Sequence, residues 1–263
     1  MGSATTQALA TTTKALDATP GVDLDVAGEL FAAARAVGDS SQLSGALADS
    51  AAPVEARRGV VAAVFGKTVR PATASLLTTA VEQRWSSASD LVDAIEELAV
   101  RAAAVADTAT DVEEELFRFS RTVAENPELE LALGSRLGDA AAKGALVEKL
   151  LAGRAGRSTT LIASSLVQQP RDRRVRQLLT RATKVVADQR GRKVATVYAA
   201  SPLSAAQVDR LTTALSQRYG TAVSLNTVLD PNVVGGLRVQ IADDVIDASV
   251  SSRLADLRQR LAG

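Results

Sequence analysis

An internal repeat constrains the fold of this 263-residue chain more than any other feature of its sequence. The segment ELFAAARAVGDSSQLSGAL begins at Glu29, and ELFRFSRTVAENPELELAL begins 86 residues later at Glu115. The two segments match without gaps at Glu, Leu, Phe, Arg, Val, Leu, Ala and Leu. Beyond them, Leu76-Leu77 corresponds to Leu161-Ile162 at a slightly shorter offset. Similarity at a fixed period indicates one structural unit used twice.

The repeated unit has the pattern of helices that bury one face. In the first copy, Leu30, Ala34 and Val37 recur at helical spacing before Gly38 supplies a stop. Further along, Asp90 is a plausible N-cap for LVDAIEELAVRAAAVA, whose apolar stripe makes it the longest helix in the chain. We therefore predict two related helical bundles in tandem over residues 3 to 189.

The two bundles are expected to share a helix. We assign residues 1–107 to an additional N-terminal helical repeat and residues 90–189 to a second bundle. The helix at 90–107 occupies the last position of one repeat and immediately precedes the other. We expect it to close the first bundle and to open the second, and a kink or a break in it would contradict this hypothesis.

After residue 190 the pattern changes from helical to alternating, which indicates strands. VATVYAA is the first strand, Ser204 and Gln207 form a capping box for a helix, and Gly220 ends that helix. AVSLNTVL and GLRVQI alternate apolar and polar residues, and Asp243-Asp244 fits a hairpin turn before VID.

A final amphipathic helix closes the chain. Its predicted apolar stripe consists of Val250, Leu254, Leu257 and Leu261. Residues 190–263 should therefore form a β-α-β-β-β-α domain, with the first two strands parallel and joined by a right-handed crossover. The fold class predicted for the whole chain is α+β: tandem helical bundles followed by this small domain.

The composition excludes several kinds of chemistry. The chain has no histidine and no cysteine, so the commonest general base, the commonest metal ligands and every thiol mechanism are absent. The N-terminal sequence lacks the features of a secretory signal, and no window approaches about 18 uninterrupted apolar residues. We therefore expect a soluble chain whose association with membranes is indirect.

Two possible ligand sites fail on their spacing. Gly66-Lys67-Thr68 resembles the end of a phosphate-binding loop, but such a loop needs glycine where this chain has Val61. Asp243, Asp244 and Asp247 lack the glycine and the bidentate glutamate of a calcium loop, so they are interpreted as turn and helix-start residues. We predict no catalytic residue, no cofactor-binding residue and no metal ligand.

A basic stretch is the clearest candidate for contact with a partner. Residues 154 to 193 hold 11 basic groups against 2 acidic ones. Within this stretch, Arg171, Arg173 and Arg174 are candidates for contact with an acidic partner helix. Nucleic acid is an alternative partner, although no aromatic residue lies between Phe119 and Tyr198 for stacking on bases. Trp85 is expected to be a bundle residue at a helix end, with an exposed partner anchor as the alternative.

The C-terminal sequence resembles a known family. DPNVVGGLRVQIADDVIDASVSSRLADLRQRL, from Asp230, is similar to the C-terminal signature of the delta subunit of bacterial F-type ATP synthase, known in mitochondria as the oligomycin-sensitivity-conferring protein. VATVYAASPL resembles the start of that family's C-terminal domain, and ENPELELAL resembles a helix junction in its N-terminal domain. The resemblance covers roughly Ser89 to the end of the chain.

The chain departs from the family pattern in two places. Ala248 stands where family members often have glycine, which asks slightly more of the local backbone. Residues 1–88 have no counterpart in the short members and resemble the additional helical repeat of longer actinobacterial forms.

The resemblance implies a non-catalytic subunit of the peripheral stalk, without a cofactor. Its helical part would bind N-terminal helices of alpha subunits, and its C-terminal domain would hold the b-type stalk. One copy per complex and a peripheral position on the cytoplasmic face of the cell membrane are expected. The signature residues Pro231, Gly235, Gly236 and Asp247 would be structural, since glycine permits positive φ or close approach of backbones.

Two other classes of function stay open. The first is an RNA-binding helical bundle of the antitermination-factor type, which should be retained on nucleic acid at moderate salt. The second is a small-ligand α/β module with a helical regulatory region, which a metabolite should stabilise against heat. The connector function instead predicts capture of synthase subunits from membrane extracts.

Overall fold

The computed structural model describes residues 2–135, 137–171, 173–233, 235–241 and 244–247. It divides into two compact units between Val186 and Ala187. The first unit is helical, and the second contains a small mixed sheet with a helix. The predicted α+β class is therefore confirmed.

Helices make up the first unit, and their bounds show the repeat. They are α1 (Ser3–Ala18), α2 (Leu24–Asp39), α3 (Ser41–Ala48), α4 (Val54–Phe65), α5 (Pro71–Glu82), α6 (Ala88–Ala106), α7 (Val112–Glu125), α8 (Pro127–Gly134), α9 (Ala140–Leu151), α10 (Arg157–Gln168) and α11 (Val175–Gln189). Helices α8, α9 and α10 begin and end 86 residues after α3, α4 and α5. The division into repeats stays a prediction that these bounds support. Below, the first repeat means α1–α6 and the second repeat means α6–α11.

The offset of 86 residues also holds inside α5 and α10, where we had predicted a shorter one. Leu76 corresponds to Ile162, and both side chains are fully buried. Leu161, which the sequence had paired with Leu76, is only partly buried and corresponds to the exposed Ser75. The offset is therefore 86 residues, because equivalent positions of the two repeats should both face the core or both face away from it.

Helix α6 is one continuous element that packs against both repeats. It contacts α1, α2, α3 and α5 of the first repeat and α10 of the second. Its start differs from the prediction: Ser87 is the N-cap, and its hydroxyl accepts the backbone N–H of Asp90 at 3.2 Å. Asp90 therefore lies inside the helix. Its continuity and packing support the hypothesis that α6 is shared.

One hydrophobic core extends through the helical unit, from Ala8 to Val186. The predicted stripe of α6 is buried in this core, with Leu91, Ile95, Leu98 and Ala102 each at most 1% exposed. Trp85 is 6% exposed, and its indole N–H donates to the carbonyl oxygen of Ala80 at 2.8 Å. It is therefore a bundle residue with a satisfied polar atom.

In each repeat a glutamate holds the start of the fifth helix. Glu29 Oε2 accepts the backbone N–H of Arg70 at 2.9 Å and the hydroxyl of Thr73 at 2.5 Å. At the equivalent place, Glu115 Oε2 accepts the backbone N–H of Gly156 at 2.9 Å and the hydroxyl of Thr159 at 2.5 Å. Free N–H groups and the positive end of the helix dipole favour a carboxylate there. The two glutamates that revealed the repeat thus share one structural role.

The second unit is built on a four-stranded sheet in the order β2-β1-β3-β4. Its elements are β1 (Arg192–Ala199), α12 (Ala205–Tyr219), β2 (Ala222–Leu229), β3 (Leu237–Ile241) and β4 (Asp244–Asp247). Strands β1 and β2 are parallel, as predicted, with Arg192 opposite Ala222. Strand β3 is antiparallel to both β1 and β4.

Most of the caps and turns predicted from the sequence of this unit are present in the structure. The capping box of Ser204 and Gln207 is present, and Gly220 ends α12 with φ of 65°. Asp244 pairs with Ile241 and is therefore the first residue of β4 instead of a turn residue. Three further predictions lie outside the described residues: the turn position of Asp243, the departure at Ala248 and the final helix with Val250, Leu254, Leu257 and Leu261.

Candidate partner-binding surfaces

The predicted basic contacts lie beside an acidic patch on α6. Arg171 Nη2 is 2.7 Å from both Asp93 Oδ1 and Glu96 Oε2. Arg173 binds Glu96 through two parallel hydrogen bonds of 2.8 and 2.9 Å. Such bidentate arginine–carboxylate pairs are stronger and more directional than single ones. They fasten the segment between α10 and α11 to α6.

The three arginines predicted to contact a partner differ in whether they are available to one. The side chains of Arg171 and Arg173 are only 20% and 22% exposed, and both are engaged within the chain. Arg174 is exposed to solvent. The basic surplus of the sequence therefore serves in part to bind α6, and Arg174 alone of the three presents its charge outward.

The backbone at Arg171 is strained. Its φ is 47°, and it is the one non-glycine residue with positive φ among those the structure describes. Such a conformation costs about 1 to 3 kcal/mol and persists only where surrounding contacts determine it. The ion pairs to Asp93 and Glu96 supply those contacts.

An open groove lies within the helical unit, between α2 and the pair α9–α10. Its cavity volume is about 720 Å³. Leu24, Leu151 and Leu161 give it apolar walls, and Gly28 and Ala32 make the α2 side shallow. Arg70, Arg157, Glu148 and other charged groups lie at its edges. A groove with an apolar base and a charged edge can hold an amphipathic helix.

Arg70, one of the residues that line this groove, forms ion pairs with neighbouring carboxylates. Its guanidinium contacts Asp23 at 2.6 Å and also contacts Asp25. The hydrogen bond from Arg70 to Asp23 raises the pKa of Arg70 above its usual value. The pKa of Asp23 is lowered, first by the backbone N–H of Val26 and then by Arg70, against the opposing effect of burial. Asp23 and Arg70 therefore stay charged at neutral pH.

Asp107 links the end of α6 to the start of α10. Its carboxylate accepts the hydroxyl of Ser158 at 3.0 Å and the backbone N–H groups of Ala109 and Thr110 at 3.2 and 3.1 Å. Burial is the largest single influence and would raise the pKa of Asp107. Hydrogen bonds from Thr110, Ser158 and Ala109 together outweigh it, so this pKa lies below the usual value.

In the second unit, three of the four signature residues lie in the connection from β2 to β3. Pro231 lies in a turn in which the backbone N–H of Val233 donates to the Asp230 carbonyl at 3.1 Å. Gly235 and Gly236 have φ of 66° and 75°, so the predicted positive φ is present at both. They border an open cavity of about 420 Å³ that also touches Leu203, Arg210 and Leu211.

Asp247, the fourth signature residue, pairs with Arg238 across β3 and β4. The guanidinium of Arg238 lies 4.5 Å from the ring centre of Tyr198 and 3.6 Å from Asp230 Oδ2. This cation–π contact across two strands was not predicted from the sequence. Only the strand register brings Tyr198 opposite Arg238.

The structure places the candidate phosphate-binding loop at the end of a helix. Gly66, Lys67 and Thr68 follow the end of α4, where the Thr68 hydroxyl donates to the carbonyl oxygen of Phe65. Within the described ranges, no three aspartate or glutamate side chains are grouped to hold a metal ion. No helix in the same ranges has both the length and the apolar character to cross a membrane.

Comparisons with known proteins extend over the whole chain. The family model described as "ATP synthase delta (OSCP) subunit" matches residues 98–261. A protein of Leifsonia xyli subsp. xyli named "ATP synthase subunit delta" is 49% identical, and the match covers 100% of each chain. Proteins of the same name from Streptomyces avermitilis and Streptomyces coelicolor are 41% and 40% identical, with at least 98% of each chain covered.

Proposed function

The chain belongs to the ATP synthase delta (OSCP) subunit family, and we propose that it is a non-catalytic subunit of the peripheral stalk. In this function it links the catalytic head to the membrane-anchored b-type stalk and resists rotary torque during proton-driven ATP synthesis. The proposed head contacts are N-terminal helices of alpha subunits. One copy acts per complex, on the cytoplasmic face of the cell membrane, without a cofactor and without nucleic acid.

The observation that carries the proposal is the match over the full length to relatives named ATP synthase subunit delta. These matches include residues 1–88, so the additional helical segment has counterparts in whole relatives of the same name. RNA binding of the antitermination type is not favoured, because the same relatives offer no support for it.

The packing of the helical unit suits a connector that carries load. Close-packed protein interiors have low compressibility and transmit strain. Here one core runs through both repeats, and α6 packs against helices of each. The ion pairs from Arg171 and Arg173 to α6 fasten one more segment to the same helix. These contacts support a function in which force passes through the unit.

The surfaces that would grip partners follow from exposure. Because Arg171 and Arg173 are engaged within the chain, Arg174 is the proposed basic contact among the three. The groove between α2 and α9–α10 has the apolar base and charged edge that an amphipathic helix requires. In the second unit, we propose that the cavity beside Gly235 and Gly236 faces the b-type stalk.

Deletion and reconstitution test the proposal. A strain lacking this chain should lose proton pumping driven by ATP, while the detached head keeps its ATP hydrolysis. Restoring the tagged chain should restore pumping and should co-purify alpha and b-type subunits. Coupled pumping in the deletion strain would contradict the function.

The glycine pair allows a sharper test of the second unit. Gly236→Val should lower the melting temperature and weaken stalk attachment together, because a β-branched residue at φ of 75° is strained by about 1 to 3 kcal/mol. Gly220→Val is the matched control, since Gly220 has φ of 65° and lies at the end of α12. If Gly236 acts through structure alone, both variants weaken attachment in proportion to their loss of stability. A fully stable Gly236→Val that cannot bind would mean direct contact with the partner.

A further inference from the structure

A second surface of the helical unit lies where α8 meets α11, and neither groove described above includes it. Pro127, Leu131 and Gly134 of α8 line an open depression of about 490 Å³, together with Arg174, Val175 and Arg176 at the start of α11. A second depression of about 480 Å³ adjoins it and shares Arg174 and Arg176. It continues along α11 past Thr180 to Lys184. We call the two together the α8–α11 surface.

The α8 side of this surface presents an unusually exposed apolar side chain. Leu131 is 75% exposed, whereas its neighbour Leu133 is fully buried. Leu137, shortly after α8, is 100% exposed. One exposed leucine is ordinary on a protein surface. Leu131 differs because it borders a depression that the buried Val175 also lines.

The α11 side carries positive charge that the chain does not neutralise. Arg176 binds Glu130 at 2.9 Å, and Arg181 binds Glu97 at 3.2 Å. Arg174 and Lys184 are exposed, and no carboxylate of the described residues pairs with either. At a rise of about 1.5 Å per residue, these two cations are about 15 Å apart along the helix axis.

We propose that the α8–α11 surface binds an acidic amphipathic helix of another subunit, a contact that rests on the connector function. An apolar side chain of that helix packs on Leu131 and over Val175, and its carboxylates face Arg174 and Lys184. The separation of the two cations requires about three turns of partner helix. An apolar anchor beside a row of like charge is the pattern of helix-in-groove recognition.

The same features favour a protein helix over nucleic acid. Single-stranded nucleic acid binds basic grooves through bases that stack on aromatic side chains. No aromatic residue occurs between Phe119 and Tyr198, a range that contains every residue of this surface. The depression next to Leu131 is instead bordered by two aliphatic side chains, a proline and a glycine, together with Glu130, Ser135 and three arginines.

The absence of cysteine from the sequence makes a direct experiment possible. Leu131→Cys creates a single attachment point for a photoreactive benzophenone, and the labelled full-length chain is assembled into the purified ATP synthase. Irradiation should join position 131 to a peptide of another subunit that has more acidic than basic residues. Leu146→Cys on α9, where the leucine is 38% exposed, is the matched control and should give no such product.

Charge reversal tests the electrostatic part. Arg174→Glu with Lys184→Glu should lower the yield of the position-131 product about tenfold, because opposite charges across an interface become like charges. Lys149→Glu, on the exposed face of α9, should leave the yield unchanged. Added salt should also lower the yield of the position-131 product in the chain that keeps Arg174 and Lys184, because salt screens the attraction between charges.

Three results would overturn the inference: no product at position 131 beyond the Leu146→Cys level, a product with nucleic acid or lipid, or a yield that charge reversal does not change. Each can occur while the labelled chain is still recovered in the complex, so the connector function would stand. If the parent chain does not assemble with synthase subunits, the connector function fails and this inference fails with it.

Discussion

The two repeats hold the start of their fifth helices with the same glutamate but surround it differently. In the first repeat, Glu29 binds the backbone N–H of Arg70, and the Arg70 side chain adds ion pairs with Asp23 and Asp25. In the second repeat, the residue equivalent to Arg70 is Gly156. A Cβ there would lie 2.8 Å from Thr110 Cγ2, so a side chain at this position would require Thr110 to move. The comparison shows that the backbone contact is the shared element and that the charge cluster is an addition.

The repeats also differ on the outer faces of those helices. Leu161 of α10 is partly buried against the core, and Gly28 of α2 lies close to it. At the equivalent position of α5, Ser75 is exposed. In stacked repeats, the terminal unit presents a polar outer face, while an internal face is apolar. The first repeat therefore has the character of a cap on the second.

The largest effect should come from removing the shared carboxylate. Glu115→Ala leaves the fully buried Thr159 hydroxyl and the partly buried Gly156 N–H without their acceptor, so we expect a loss of about 2 to 3 kcal/mol. Glu29→Ala also leaves a fully buried hydroxyl, that of Thr73, without its acceptor, but it should cost less, about 1 to 2 kcal/mol, because the N–H of Arg70 is exposed and regains water. Denaturant unfolding measures both. Glu114→Ala on the exposed face of α7 is the control, and a greater loss from Glu29→Ala would reverse the comparison.

A smaller effect should come from exchanging the outer-face residues. Leu161→Ser removes apolar contact between α10 and the rest of the unit and should cost about 1 to 2 kcal/mol, less than at a fully buried site. Ser75→Leu should change the free energy of unfolding by less than about 0.5 kcal/mol, because that side chain enters solvent. Equal losses in the two variants would mean that α5 also has a buried outer face.

The pH dependence of stability should separate the repeats further. Asp107 braces α10, and the residue 86 positions earlier is Gly21, which has no side chain. Because the folded-state pKa of Asp107 is lowered, its ionised form stabilises the fold above the unfolded-state pKa of about 3.9. That contribution disappears as the pH falls through the folded-state pKa.

Asp107→Asn should therefore lower the melting temperature at neutral pH, and its difference from the parent should close as the pH is lowered from neutral through the folded-state pKa of Asp107. Thermal unfolding followed by circular dichroism over this range measures it. Glu148→Gln, which removes an exposed carboxylate from α9, is the control variant. A constant difference at every pH would mean that Asp107 acts through packing alone.

The smallest effect should come from making the first repeat resemble the second. Arg70→Gly removes the ion pairs with Asp23 and Asp25 but keeps the backbone N–H that Glu29 binds. Because these ion pairs are exposed, we expect a slight fall in melting temperature at low salt and none in about 1 M salt. A loss that persists at high salt would show that the Arg70 side chain stabilises the repeat through packing.

Periodicity was sufficient to predict the α+β class. The helical part and the change of pattern after residue 190 follow from spacing, because helices and strands bury residues at different periods. The parallel pairing of β1 and β2 was predicted from the helix that joins them. Ends of elements were less predictable. Ser87 caps α6 although Asp90 has equal cap propensity, so residue type alone does not choose between the two positions.

For the candidate partner contacts, the sequence showed an excess of basic residues but not which of them are exposed. The basic surplus near Arg171 was visible, but the sequence did not show that Asp93 and Glu96 of a distant helix bind Arg171 and Arg173. Such pairings depend on tertiary proximity across about 75 residues of chain, which no local pattern encodes. The positive φ of Gly235 and Gly236, by contrast, followed from residue type alone.

The solubility of this chain depends on its N-terminal segment, because that segment covers an apolar face of α6. Helix α6 lies against α1, α2, α3 and α5, so a shortened version that starts at residue 89 would uncover apolar side chains now shielded from water. Such a fragment would need a substitute helix or would self-associate. Deleting residues 1–88 is therefore expected to lower the solubility of the protein. A soluble fragment would first need polar substitutions on the face of α6 that contacts α1, α2, α3 and α5.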